Sequence, residues 1–390
     1  MSVRADVRAW LAENWQPDGE LSRFREAALD SGWLVPTWSE KWFGKGLSTA
    51  DAEAVGEEFE RVGAPGRADR NDLHARVIYE LGSDELRATY LRDLLAGNVT
   101  GCLLYSEPGA GSDLASVRTS AVREGDEWRV NGQKVWTSGA KQAGYGLLVA
   151  RTDSSVPKHQ GITYFVIPMK QPGIEVRPIT QITGDAHFNE VFLTDAWVDD
   201  AHRLGEVNAG WRMLMMALGY ERSVMGVRGV GSRASNGKYR ASGVTFVGTA
   251  DDLIGLARRH GKLDDAATVA ALADVYAART AVRLNTARYA EEGRAADPAA
   301  LSMGKLAMSQ VLHSTSRVRR DIVGAAALLD ERTEPPGDAE VANFFTLDAY
   351  FTSIGGGTDQ IQRNIISERI LGLPKEEDRS KNVPFSEVRK

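Results

Sequence analysis

The sequence predicts an α+β protein in three parts: helical, then β, then helical. Apolar residues recur at three- and four-residue spacing over 1–98 and again from about 205. Between these, 99–204 breaks into short β-branched and aromatic runs that alternate roughly in twos. A chain of 390 residues is also more than one hydrophobic core usually organises. The texture changes therefore give the expected domains: 1–98, 99–204 and 205–390.

In the first part, AEAVGEEFERV and DELRATYLRDLLAG carry helical stripes, and Gly97 and Asn98 stop the second. In the middle part, VREGDEWRVNGQKVW, YGLLVA, ITYFVIPM, IEVRPI and NEVFLTDAWV read as strands. Turn formers are expected to separate them at Gly125-Asp126, Asn131-Gly132 and Pro172-Gly173, giving a small barrel or sandwich. In the last part, 211–231, 250–259, 265–293, 298–328 and 357–371 read as helices of an antiparallel bundle. Residues 232–249, rich in glycine and serine, interrupt it as a connector or a lid. The final KEEDRSKNVPFSEVRK reads as a polar tail.

Composition narrows the function. Apolar content of 43% and charged content of 26% are ordinary for a globular protein. A net charge of −6 argues against nucleic acid or an anionic membrane as the main partner. One cysteine, Cys102, allows no intrachain disulfide. No apolar run is long enough to span a bilayer, and the start has no secretory h-region, so the expected location is the cytosol. The six histidines are scattered without ligand-type spacing, so no metal site is expected. There is no P-loop and no nucleophile elbow, and PGAGS does not follow a strand–turn–helix plan.

Two stretches remain. Residues 102–113, CLLYSEPGAGSD, end a β run in a loop with two glycines, where bare backbone N–H groups can cradle an anion or a polar ring. The second, NGQKVWTSGA, ends another β run with Trp136, Thr137 and Ser138. Taken alone, Trp136 reads as core and Ser138 as a turn hydroxyl.

Taken together, Ser-Glu-Pro-Gly-Ala-Gly-Ser-Asp, Asn-Gly-Gln-Lys-x-Trp-Thr-Ser, Phe-Asn-Glu-Val at 188–191 and Gly-Gly-Thr-x-x-Ile-Gln-Arg-Asn-Ile-Ile near the end resemble the acyl-CoA dehydrogenase family. The resemblance runs to about Pro374, with the first helix looking clipped. It implies a helical N-terminal domain, a middle β-barrel domain and a C-terminal four-helix bundle, and FAD as cofactor. On the matching positions, Leu103, Tyr105, Ser106, Gly111 and Ser112 would line the flavin, with Ser112 also near the thioester. Trp136 would lie against the ring, beside Thr137 and Ser138. Gly357, Thr358, Asp359 and Gln360 would complete the FAD contacts.

The reaction this family implies removes an α-proton and a β-hydride from an acyl-CoA thioester. In many members the base is a glutamate just before the final Gly-Thr, where this chain has Gly356. A second subset keeps its base on an earlier helix in a Glu-Arg pair, which Glu221-Arg222 matches. Trp211, Leu214, Leu218, Glu221 and Met225 share one helical stripe. The plain alternative is a buried glutamate paired with Arg222 or Arg228. With the usual base missing, Glu221 is taken as the base, and Gly356 as a backbone contact to the thioester carbonyl and as added room for a branched or alicyclic, steroid-like acyl group. An acyl-CoA oxidase and a non-catalytic subunit of the same fold are the competing possibilities.

The resemblance also bears on partners. An electron-transfer flavoprotein or similar acceptor is implied. Homo-oligomeric members lend the adenine half of a neighbour's FAD an Arg-x-x-Phe-Gly segment and a Gln-x-x-Gly-Gly-x-Gly loop. Here these are ARRHG (257–261) and DIVGAAA (321–327). The expectation is an α2β2 assembly with a related subunit, as in bacterial steroid-degrading members. The alternative is a homodimer or homotetramer using Arg258 or Arg259.

Overall fold

The helices of the first part begin and end where short polar side chains and glycine permit. In the computed structural model, which describes residues 2–66, 73–228, 250–292, 297–329, 336–377 and 380–388, α1 (Val3–Asn14), α2 (Leu21–Asp30), α3 (Thr49–Arg61), α4 (Leu73–Leu81) and α5 (Asp84–Ala96) come first. Ser2, Ser48 and Ser83 cap α1, α3 and α5 by accepting from Ala5, Asp51 and Leu86 N–H groups. Gly97, at φ 82°, ends α5 as expected. The buried carboxylate of Glu58 on α3 gathers Arg4 and Arg8 of α1 and Arg61, which fixes α1 on α3.

The strands are β1 (Gly101–Leu104), β2 (Ser120–Glu124), β3 (Glu127–Ser138), β4 (Tyr145–Arg151), β5 (Ile162–Pro168), β6 (Ile174–Ile179) and β7 (Phe188–Asp199). They form one seven-stranded sheet in the order β1-β4-β2-β3-β7-β6, with β5 on β4. Every residue of β4 is buried. Leu147 and Val149 face the core shared with the helices; Leu148 and Ala150 face a second core that the curled sheet closes around Trp128, Phe165 and Val198. A strand buried on both faces reads as a continuous apolar run, which is what YGLLVA is.

Three local expectations are corrected. Asn131-Gly132 is not a turn: β3 runs through it, with an irregularity at Val130/Gly132. A glycine is needed there because a Cβ would come within 2.7 Å of the Thr119 backbone. The 298–328 helix stops at Val323, and 324–328 is a 3-10 turn. The final segment is not a free polar tail. Phe385 is buried, its N–H donates to Val156 O at 2.9 Å, and Pro384 bridges to Pro157.

The chain divides into two compact units. The first comprises residues 1–181, 186–220 and 378–390, and includes α1–α5, the sheet and the start of α6 (Gly210–Arg228). The second comprises 182–185 and 221–377. It contains α7 (Ala250–Arg259), α8 (Ala266–Glu291), α9 (Pro298–Val323), α10 (Asp338–Ile354) and α11 (Asp359–Ile365). Within it, α9 packs against α7, α8, α10 and α11 around Leu253, Leu256, Val275, Val318, Ile322 and Ala342. Helix α10 was not among the helices expected from periodicity. It buries Val341, Ala342, Phe344, Phe345, Ala349 and Thr352, which is too broad a surface to leave a single stripe. The expected connector or lid at 232–249 lies outside the described residues.

Candidate active site

In the first unit, three of the sequence motifs meet at the end of β3. Val135 N–H donates to Ser106 O at 2.9 Å, which joins the loop after β1 to β3. Thr137 and Ser138 pair with Asn189 and Phe188, and Asn189 Nδ2 donates to Thr137 O at 2.9 Å. The register shifts between Lys134 and Thr137, and in that bulge Trp136 takes φ 61°. This backbone region is disfavoured for a bulky side chain, and such strain collects at functional sites. The bulge turns the indole outward, 58% exposed, edge-on to Phe188 at 6.0 Å. Trp136 is therefore not core.

The loop that carries Ser106, Gly111 and Ser112 is held from beneath by buried charges. Lys134, 0% exposed, donates to Glu107 Oε1 at 2.8 Å, Tyr105 O at 3.0 Å and Val149 O at 2.8 Å. Glu107 in turn accepts the N–H groups of Arg118 (2.7 Å) and Thr119 (2.9 Å). Burial alone would raise the Glu107 carboxyl, but Lys134 and the donors at Thr119 and Arg118 hold it below the ordinary range. A Cβ at Gly109 or Gly111 would meet nothing within 4 Å, so the chain's own packing does not demand those glycines. Gly111 and Ser112 are exposed.

Two residues expected to line a ligand have their side chains occupied or partly covered. Tyr105 is buried and shares its hydroxyl with Tyr164. A buried phenol needs a partner, and Tyr164 supplies one. Leu103 is half-buried in β1.

The second unit holds the other motif. Gly356 and Gly357 have φ 66° and 83°, the left-handed region that glycine enters without a Cβ penalty. A Cβ at Gly355 would lie 2.8 Å from the Phe351 ring. Backbone conformation and packing thus account for the glycine run. Thr358 caps α11 by accepting from Ile361 N–H at 3.2 Å, and Gln362 Nε2 donates to Gly356 O at 3.1 Å. The Asp359 carboxylate is engaged by fully buried Lys305 (3.0 Å) and by Ser309 (2.9 Å), so its side chain serves the bundle. Gln360 is exposed. Glu221 is half-buried on α6, and Arg222 follows it on the same helix. Among the described residues no group of three or more histidine, cysteine or carboxylate side chains could hold a metal, and no helix is long and apolar enough to cross a membrane.

Family models match most of the chain: the acyl-CoA dehydrogenase N-terminal domain over 2–98, the middle domain over 102–196 and the C-terminal domain over 250–371. The chain belongs to the acyl-CoA dehydrogenase family. Members are oxidoreductases acting on the CH–CH bond of acyl-CoA. The chain is 33% identical to acyl-CoA dehydrogenase IpdE1 of Mycobacterium tuberculosis, over 96% of its own length and 97% of that protein's. Among solved structures it resembles the Tcur3481-Tcur3483 steroid ACAD, with 26% identity, TM-score 0.74 and coverage of 96% and 97%. It also resembles the ChsE4-ChsE5 complex from Mycobacterium tuberculosis, with 27% identity, TM-score 0.67 and the same coverage.

Sequence reasoning missed Glu107, Lys134 and Lys305 in this acyl-CoA dehydrogenase. For Lys134 a signal was available. It stands in phase with Trp128 and Val130 on the inward face of β3, where a lysine requires a buried partner. A pH dependence follows. Because Glu107 is depressed in the folded chain, its contribution is complete above the ordinary glutamate value of 4.5 and is lost as pH falls below it. Amide exchange in 106–119 is expected to rise on acidification through that range. Glu107→Gln should remove this acid leg; an unchanged acid profile in that variant would assign it to another group.

Proposed function

We propose that the chain catalyses FAD-dependent α,β-dehydrogenation of a bulky, branched or alicyclic acyl-CoA, with Glu221 as the base. The observation that carries the proposal is the outward-turned Trp136 in its strained bulge, beside a glycine loop whose openness the fold itself does not require. These residues fit a flavin. An exposed indole offers a flat face, Gly111 and Ser112 offer backbone donors, and Thr137 Oγ1 has no partner among the described residues. In this proposal Trp136, Thr137 and Ser138 hold the ring from one motif, with Leu103, Tyr105, Ser106, Gly111 and Ser112 from the other. Gly357, Thr358, Asp359 and Gln360 add backbone contacts.

FAD, when bound, supplies the two-electron acceptor that takes a hydride from Cβ. Glu221 takes the proton from Cα, and Arg222 orients it or the substrate. The Gly356 N–H donates to the thioester carbonyl, where negative charge develops as the proton leaves. Glycine at 356 leaves space beside Cα and Cβ that a glutamate would fill, which favours a branched or ring-bearing acyl group. The relatives named for steroid chemistry support the same substrate class for this chain.

The assembly we propose is heteromeric, with a related subunit completing the adenine half of the FAD site. Arg259 Nη2 and His260 Nε2 both bond Asp338, at 2.9 and 3.0 Å. Arg259, one of the two arginines the homo-oligomer alternative would use, is therefore already engaged. Val269, Tyr276 and Leu284 of α8 are 45%, 60% and 54% exposed, an apolar surface suited to a partner. The ChsE4-ChsE5 complex, a structure this chain resembles, is named for two components, which supports the same reading here. A cytosolic enzyme passing electrons to an electron-transfer flavoprotein completes the proposal.

The test is expression of this chain alone and with candidate partner subunits, followed by a panel of CoA thioesters. Bound flavin that bleaches anaerobically with branched or alicyclic thioesters is expected only from the heteromer. Full FAD occupancy and activity in a pure homo-oligomer would refute the heteromer. Peroxide formed in stoichiometric yield under air would make the enzyme an oxidase.

A further inference from the structure

The final described segment, 380–388, does more than cover the sheet. Its backbone is stitched to the loop after β4: Phe385 N–H donates to Val156 O and Ser386 N–H to Ser154 O, each at 2.9 Å. The Phe385 ring, 7% exposed, lies over Arg151, with the guanidinium carbon 3.9 Å from its centroid; Arg118 stands at 5.2 Å.

Arg151 is an unusual group to find under that ring. It is 4% exposed, and its guanidinium donates to backbone carbonyls. Nη2 donates to Ala115 O (2.6 Å) and Val117 O (3.2 Å), Nε to Val117 O (3.3 Å) and Nη1 to Lys158 O (2.6 Å). Burial pushes Arg151 down to about 10. A desolvated cation held by carbonyl dipoles gains substantially from the negative face of an aromatic ring. Lys158, whose carbonyl Arg151 holds, donates to both Asp113 oxygens at 3.0 and 2.9 Å, one residue after Ser112. The chain of contacts thus runs from Phe385 through Arg151 to Asp113, Ala115 and Val117, in the loop that bears Gly111 and Ser112.

We propose that Phe385 is a positioning residue for the 106–119 loop, acting through Arg151. The proposal rests on the function given above: the strap sets how tightly that loop receives the flavin and the thioester, while proton abstraction at Glu221 is untouched. Because the strap works through a π face and not through volume alone, Tyr should replace Phe, and Leu should not.

The experiment compares Phe385→Tyr, Phe385→Leu and Phe385→Ala in the assembled enzyme. Readouts are amide exchange at 110–119, FAD dissociation, and KM against kcat for the best CoA thioester. For Leu and Ala, exchange and KM are expected to rise about 3- to 30-fold, with kcat within about two-fold of the parent. Tyr should match the parent. Parental behaviour of Leu would overturn the role of the π face, and unchanged loop exchange in both Leu and Ala would overturn the strap. A fall in kcat with KM unchanged would equally refute it. Should Ala fail to fold, Leu decides alone. Failure of the parent to bind FAD would defeat the proposed function; loop exchange would still decide the strap.

Discussion

Glu221→Gln is expected to retain the fold and bound FAD and to lose about 10²- to 10⁴-fold in turnover, the usual contribution of a positioned general base. The substitution is nearly isosteric and leaves the half-buried position on α6 filled. What disappears is the carboxylate proposed to accept the α-proton, and glycine at 356 supplies no substitute. The signature should fall on kcat and kcat/KM together, because the lost interaction exists only as the proton moves. Activity within a few-fold of the parent would remove Glu221 from the mechanism and leave it as a structural carboxylate.

Lys134→Met should cost about 3–5 kcal/mol of stability, because it strands the Glu107 carboxylate in the interior without its cation. Three bonds vanish at once: those to Glu107, to Tyr105 O and to Val149 O. The loop that carries Ser106 and Ser112 loses its support from β3, so FAD retention should fall along with the unfolding midpoint. The double variant Lys134→Met with Glu107→Gln separates the causes. A glutamine oxygen still accepts from Arg118 or Thr119 while its NH2 faces the other N–H, so the part of the loss due to the unpaired charge should return, whereas the contact to Tyr105 O does not. Denaturant unfolding and bound-flavin ratios measure both. Equal loss in the single and double variants would show that the cost lies in packing and not in the unpaired charge.

The sequence by itself determined whatever depends on residue identity and local period. The order helical, β, helical follows from runs that repeat at 3.6 or at 2. The Ser-Glu-Pro-Gly-Ala-Gly-Ser-Asp and Trp-Thr-Ser motifs, the glycine at 356 and the carboxylate at 221 are facts of the chain before it folds. Gly97 could be read as a helix stop because a left-handed cap needs only one residue's chemistry. The tertiary structure decided what depends on distant partners. Strict alternation along β3 would put Trp136 on the same inward face as Trp128 and Val130; a bulge against β7 reverses it and exposes the ring. Asp359 turns its carboxylate to Lys305, because a buried lysine in α9 requires a counter-charge. Glu107 and Lys134 stand in different motifs, 27 residues apart, and only folding makes them one buried pair. Phe385 sits in a stretch whose composition reads as solvated, and it becomes structural only because Arg151 waits beneath it. Periodicity is written in neighbouring residues. The destination of a buried charge or an isolated ring depends on which surface the fold brings to it.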